Sequence, residues 1–227
     1  MLQLRKFLLR TILITGFIYL VIIAYGFLFN QQTHAESVHS SLILKNTHLQ
    51  SGDLIFQTSN SSQSKAIQLA THSKYSHVGM IYENNGRFYV FEAIQPVTYT
   101  PLDKWIKRGL DHHYVIKRLH NAEERITPKT IAHMKIIGEQ YKGYDYDIYF
   151  EWSDDRMYCS ELVWKIYKKA LNIEIGELQK LSEFDLSHTL VKQKMHERYG
   201  TNIPLDEKVI SPAAMFNSDK LITIEEK

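Results

Sequence analysis

The chain has 227 residues, 44% hydrophobic and 23% charged, with a formal net charge of +2. These values are ordinary for a globular protein and supply enough apolar material for a packed core. The near-neutral balance, without a long run of like charge, speaks against nucleic-acid binding, which calls for a basic patch or stripe. A single cysteine, Cys159, excludes an intrachain disulfide, so the compartment has to be read from other features.

Those features lie at the N-terminus. Arg5, Lys6 and Arg10 precede an uncharged apolar run over residues 11–29, interrupted only by Gly16 and Gly26. About twenty such residues suffice to cross a bilayer core. Positive charge confined to the leading side keeps the N-terminus inside and exports the rest. Two forms are open: an uncleaved signal-anchor helix, or a signal peptide cut after Ala35, where Thr33-His34-Ala35 supplies small residues at the right places. The run is long for a signal peptide, whose apolar region usually spans about 7–15 residues. It is also apolar on all sides, unlike an amphipathic helix of a soluble domain. Residues 1–35 are therefore read as anchor or signal, residues 36–50 as a polar linker, and residues 51–227 as one domain. That domain is expected on the exported side, membrane-anchored or, if cleaved, periplasmic.

Within the domain, Leu54-Ile55-Phe56 starts a strand after the Ser51-Gly52-Asp53 turn. A helix follows the polar loop at residues 60–63, with Ala66, Ile67, Leu69 and Ala70 on its apolar side. Residues 77–82 and 88–94 read as two strands joined at Asn84-Asn85-Gly86, and Asn-Gly between such runs is a strong hairpin signal. Thr100-Pro101 is expected to open a short helix and Thr127-Pro128 a longer one, each with a cap residue and Pro at N1. Residues 114–119 form another strand. Cys159, Leu162, Val163, Ile166 and Ala170 share one face of a later helix, for which Asp154 or Asp155 is the expected N-cap. A helix over residues 187–199, a short one capped by Ser211-Pro212 and a strand at residues 221–224 close the chain. Strands and helices mix without strict alternation, which gives an α+β fold.

Three residues carry candidate chemistry. Cys159 falls in the first turn of its helix, where free N–H groups and the partial positive charge lower a thiol pKa and can hold an oxyanion. By position alone it also reads as a small buried hydrophobe. His77 lies in Tyr75-Ser76-His77-Val78-Gly79, and Glu92 sits among apolar residues in Val90-Phe91-Glu92-Ala93, where a carboxylate needs a partner. If Asn85-Gly86 is the two-residue loop, Gly79 stands opposite Glu92 and His77 is its diagonal neighbour. If Asn84-Asn85 turns instead, His77 faces Glu92 directly. Either register puts imidazole and carboxylate on one face, whereas a three-residue loop separates them. No histidine pair has zinc-ligand spacing, so neither metal nor cofactor is expected.

Gly52-Asp53-Leu54-Ile55-Phe56, Tyr75-Ser76-His77-Val78-Gly79, Phe91-Glu92-Ala93 and Tyr158-Cys159-Ser160-Glu161-Leu162 together resemble the permuted papain-like enzymes of the NlpC superfamily, most nearly the YiiX-type branch. The likeness runs from about Ser51 to Met215. It implies a papain-like fold with the cysteine helix packed on a small antiparallel sheet. It also implies Cys159 as nucleophile, His77 as base and Glu92 as the residue orienting it. The expected activity is amide hydrolysis through an acyl-thioester on an envelope peptide or peptidoglycan-stem substrate. Lipid thioesterase or acyltransferase chemistry is the alternative, supported by the likeness of permuted members to lecithin–retinol acyltransferase and by the aromatic run Tyr144, Tyr146, Tyr149, Phe150 and Trp152. Core packing accounts for such rings equally well. A non-catalytic binding module is the third reading. Expected partners are an amide- or acyl-bearing substrate and, through an uncleaved N-terminal helix, the membrane.

Overall fold

The structure is a computed structural model and describes residues 49–227. The expected N-terminal apolar helix and most of the linker lie outside these residues. No helix among the described residues is long and apolar enough to cross a membrane.

A six-stranded antiparallel sheet organises the domain. Its strands are β1 (Leu54–Gln57), β2 (His77–Asn84), β3 (Arg87–Glu92), β4 (Thr98–Pro101), β5 (Val115–Leu119) and β8 (Leu221–Glu226), in the order β4-β3-β2-β1-β5-β8. The mixed α+β character with an antiparallel sheet is as expected. One face of the sheet is apolar through Phe56, Val78, Met80, Phe91 and Val115, all inaccessible to solvent. Against it pack α4 (Pro128–Tyr141) and α5 (Cys159–Leu171). Met134, Ile137 and Tyr141 of α4, and Leu162, Val163 and Ile166 of α5, recur at three- and four-residue intervals and complete this core.

The opposite face follows from strand alternation. Ile55, Gln57, His77 and Gly79 share it, because Gln57 pairs with His77 and Ile55 with Gly79. A short helix, α2 (Leu102–Arg108), sits on this side and buries Trp105 completely. Thr127 caps α4 by accepting the Thr130 N–H at 3.2 Å, and Ser211 caps α7 (Pro212–Phe216) in the same way at 3.0 Å. Both Pro-N1 helix starts were legible for this reason. Thr100-Pro101 is not a third. Those residues complete β4, paired with β3, and Pro101 stands before α2 without a side-chain cap. The Thr100 hydroxyl is taken by Glu92 instead.

The remaining helices are α1 (Ser62–Thr71), α3 (Ala122–Arg125) and α6 (Thr189–Tyr199), and Gln179–Lys180 (β6) pairs with Lys208–Val209 (β7). Strands of two residues leave no readable alternation, and this pair had no counterpart in the sequence reading.

The β2–β3 hairpin turns at Asn85-Gly86, with φ of 51° and 74°, the backbone that a two-residue loop of this hand requires. Asn84 pairs with Arg87 and Met80 with Phe91. One step further sets Gly79 against Glu92. A Cβ at Gly79 would stand 2.3 Å from Val90 Cγ1 and 3.2 Å from the Phe91 carbonyl oxygen. Gly79→Ala is therefore expected to lose about 1–3 kcal/mol by overpacking. Gly86→Ala meets no neighbouring atom within 4 Å and pays only for its positive φ, about 1 kcal/mol. Urea unfolding of the two variants measures the difference, and equal losses would show that β2 and β3 are not this closely apposed.

Candidate active site

The site forms where the first residue of β2 meets the first residue of α5. Cys159 occupies N1 of its helix, with Tyr158 as N-cap. Asp154 and Asp155 do not cap it. Asp154 pairs with Lys165 at 2.8 Å, and Glu161 at N3 reaches back to accept the Tyr158 N–H at 3.4 Å. The carboxylate that helps close the helix start thus comes from inside the helix. Cys159 still lies in the first turn, as expected, where helix N–H groups have no intrahelical acceptor. This terminus is anchored from the side. Ser160 Oγ donates to the Ile210 carbonyl at 2.7 Å, and the Ile210 N–H donates to Tyr158 Oη at 3.1 Å.

His77 and Glu92 lie on one face of the hairpin, as the loop register requires, with Nε2 2.6 Å from Oε2. Glu92 has no solvent exposure, and a buried carboxylate demands a full set of donors. Trp105 Nε1 donates to Oε2 at 2.9 Å, Thr100 Oγ1 donates to Oε1 at 2.6 Å, and Arg108 Nη2 lies 2.6 Å from both oxygens. The His77 ring stacks on Trp105, with centroids 5.9 Å apart and planes inclined by 23°. Tilting the imidazole therefore breaks a hydrogen bond and a stacking contact together.

His77 and Cys159 each shift the other's titration, so the two side chains act on one another. With Nε2 committed to Glu92, Nδ1 is the nitrogen left for the thiol. Burial alone drives the imidazole toward its neutral form, but the hydrogen bonds and charges of Cys159 and Glu92 outweigh it and lift the His77 pKa to about 9. Burial likewise favours the protonated acid at Glu92, and His77 followed by Arg108 overcomes it, holding the carboxyl at about 2. At Cys159 burial opposes a thiolate. The hydrogen bond and charge of His77, helped by the backbone N–H groups of Val78 and Ser160, reverse that and bring the thiol below its ordinary value. The His77 imidazolium thus pulls the thiol toward thiolate, the form in which a cysteine is nucleophilic. Asp53 is committed elsewhere: Arg118 grips it through Nε at 2.7 Å and Nη2 at 2.8 Å.

The aromatic run divides between two roles. Trp152 packs on Trp164 and Tyr144 on Tyr141, with centroids 5.2 and 5.9 Å apart. Tyr146 and Phe150 line a cavity that opens on Cys159. Tyr146 Oη accepts from Gln63 Nε2 at 3.0 Å, which leaves the phenol proton free.

Trp105, Arg108, Thr100 and Gln63 were missed as site residues, and Tyr146 entered only as a member of the aromatic run. The only local signal was Trp105 and Arg108 standing three apart on one helix face.

A family model described as "permuted papain-like amidase enzyme, YaeF/YiiX, C92 family" matches residues 48–225. YiiX of Escherichia coli (strain K12) is 52% identical over 175 residues, covering 77% of this chain and 85% of that protein. A crystal structure of yiiX from Escherichia coli O157:H7 is 51% identical and superposes with a TM-score of 0.76, covering 80% of this chain and 99% of that one. That relative is described as a metalloprotein. In this chain no group of three His, Cys, Asp or Glu side chains among the described residues is placed to hold an ion, and the oxygens of Glu92 are taken up by hydrogen-bond donors.

The ion pair has a kinetic signature. An unperturbed thiol has a pKa near 8.5 and is a few per cent ionised at pH 7. Iodoacetamide is expected to alkylate Cys159 well below pH 7 in the wild type. In His77→Ala the rate profile should move toward higher pH, because the largest opposing influence on burial is gone. A wild-type profile centred near 8.5 and indifferent to His77→Ala would dissolve the pair.

Proposed function

Because the chain belongs to the YaeF/YiiX family of permuted papain-like amidases, we propose that it hydrolyses an amide through an acyl-thioester on Cys159. The observation carrying this reading is that the His77 ring is fixed by the buried carboxylate of Glu92 at 2.6 Å and lowers the titration of the thiol at the first residue of α5. The thiolate attacks the carbonyl carbon and the C–S bond forms. The negative charge passes to the carbonyl oxygen, which faces the N–H groups at the start of α5 and the Tyr146 phenol, whose proton Gln63 leaves free. His77 gives its proton to the leaving nitrogen as the C–N bond breaks and the amine departs. Neutral His77 then takes a proton from water. The hydroxide oxygen adds to the thioester carbon, the C–S bond breaks, and the acid leaves with thiolate and imidazolium restored. Glu92 stays ionised throughout and orients the ring, the division of labour in a nucleophile–base–acid set.

Amide, ester and thioester probes, quenched early and examined by mass spectrometry, are expected to leave an acyl group on Cys159. His77→Ala should slow turnover by about 10²–10⁴-fold, the worth of general acid–base catalysis. Glu92→Gln added to His77→Ala should cost little more, because the two act as a unit. A site that binds these probes without ever acquiring an acyl group would instead be a binding module.

The same reading places the domain on the exported side of a membrane, supported by Arg5, Lys6 and Arg10 ahead of the uncharged run at residues 11–29. A compartment-sensitive reporter fused after Lys227 is expected to report an exported C-terminus. A cytoplasmic signal would remove peptidoglycan and other exterior amides from reach.

A further inference from the structure

Glu161 is the acid of the first turn of α5, and it has no solvent exposure. Neither the triad nor the oxyanion site uses it. A carboxyl buried there is costly, whereas an apolar residue of similar volume is not, so its presence calls for a reason. Its contacts run in two directions. Oε1 lies 2.7 Å from the ammonium of Lys165, a side chain itself only 8% exposed. Lys165 donates in turn to the Ser153 carbonyl and, at 2.8 Å, to Asp154, and stands over the Trp152 ring, 5.2 Å from its centroid. The segment leading into α5 is thereby strapped to the flank of the helix. On the other side Oε2 accepts the Tyr158 N–H at 3.4 Å.

The residue before Tyr158 joins two parts of the site. The Met157 N–H donates to the Asp145 carbonyl at 3.1 Å, and its carbonyl accepts the Asp147 N–H at 3.1 Å, so Met157 brackets Tyr146 in a parallel bridge. Beyond the bridge Asp147 closes its own loop, accepting the N–H groups of Tyr149 and Glu151 at 2.8 and 2.7 Å. Tyr146 therefore takes its place from the two residues that precede Cys159. Holding the Tyr158 N–H fixes the thiol one residue on and, across the bridge, the phenol.

Resting on the amidase reading above, we propose that Glu161 is a positioning residue: through the Tyr158 N–H and the Met157 bridge it sets the Tyr146 phenol against the carbonyl oxygen of the group attacked by Cys159. Glu161 touches no reacting atom. What it supplies is an acceptor oxygen at a fixed reach. Burial, with the charge of Asp147 adding to it, overrides Lys165 and the Tyr158 N–H and lifts the carboxyl to about 8. At neutral pH Glu161 is thus an uncharged acceptor, while Asp154, ahead of Glu161, keeps Lys165 charged against its burial. Glutamine reproduces that state in length, charge and acceptor.

The test uses the full chain at pH 7 and two reagents that separate thiolate from oxyanion. Iodoacetamide alkylates a thiolate by displacement, without an oxyanion. The ester p-nitrophenyl acetate acylates it through a tetrahedral intermediate, with nitrophenolate leaving. Glu161→Met fills the same space without an acceptor, and Glu161→Asp withdraws the carboxyl by about 1.5 Å. Both are expected to slow acylation of Cys159 about 10–100-fold, short of the 10²–10³ lost with a whole oxyanion donor, and to leave alkylation nearly unchanged. Glu161→Gln should keep both rates near wild type. Tyr146→Phe should slow acylation alone, and adding Glu161→Met to it should cost little more, because the two act on one oxygen. Should Glu161→Met fail to fold, Glu161→Asp carries the comparison. Wild-type acylation in the Met and Asp variants overturns the assignment, as does a Gln variant as slow as the Met variant. Equal losses with both reagents, or losses from Glu161→Met and Tyr146→Phe that multiply, overturn it too. A wild type that is alkylated but never acylated overturns the hydrolase reading, and this inference with it.

Discussion

The buried carboxylate of Glu92 is the constraint on which the rest of the site depends. An ionised carboxylate without solvent is tolerable only when its lone pairs are filled. Here the donors come from three separate places: His77 on the neighbouring strand, Thr100 on β4, and Trp105 with Arg108 on α2. The β2–β3 register, the presence of an edge strand at Thr98–Pro101 and the seating of α2 all converge on those two oxygens. Removing one partner of such a buried set typically costs about 3–5 kcal/mol, so the arrangement is held by mutual need more than by any single bond.

That arrangement draws a buried thiol toward its thiolate form. Cys159 is buried, and desolvation alone would keep it protonated. The imidazolium that compensates it would itself be unstable there without a fixed negative charge behind it. Glu92 supplies that charge and is in turn stabilised by Arg108, which reaches solvent with 40% of its side-chain surface. The groups therefore alternate in sign from the surface inward: guanidinium, carboxylate, imidazolium, and a thiol drawn toward thiolate. The two sheet faces divide the labour. The α2 face fixes the His77 ring, and the α5 face brings Cys159 and the helix N–H groups to the strand end where they meet.

Much of this was legible locally. Either two-residue loop within Asn84-Asn85-Gly86 put His77 and Glu92 on one face, and the structure selects Asn85-Gly86; the three- and four-residue spacing from Cys159 to Ala170 marked a helix with the thiol near its start. The missed parts come from distant segments. Arg108 on a short helix reads as a solvated charge, and only a sheet that carries Glu92 beneath it turns it into a partner. Asp154 and Asp155 looked like caps because acids favour that place, yet Glu161 at the third helical position was the better signal, a residue that can reach back over its own first turn. Thr100-Pro101 had the composition of a helix start, but pairing with β3 claimed those residues for the sheet. The cavity beside Cys159 joins α1, residues 146–150 and α6, and no window of sequence contains it.

The charge state of His77 tests the central claim most directly. Nitrogen-15 NMR of the imidazole, followed against pH in the wild type and in Cys159→Ser, reports its protonation without any substrate. His77 is expected to stay protonated through neutral pH and to titrate near 9. In Cys159→Ser the titration should move down toward the ordinary value near 6.5, because the thiolate is the largest of the favourable influences. A wild-type His77 that titrates near 6.5, unchanged by Cys159→Ser, would mean that no thiolate–imidazolium pair exists in the resting protein.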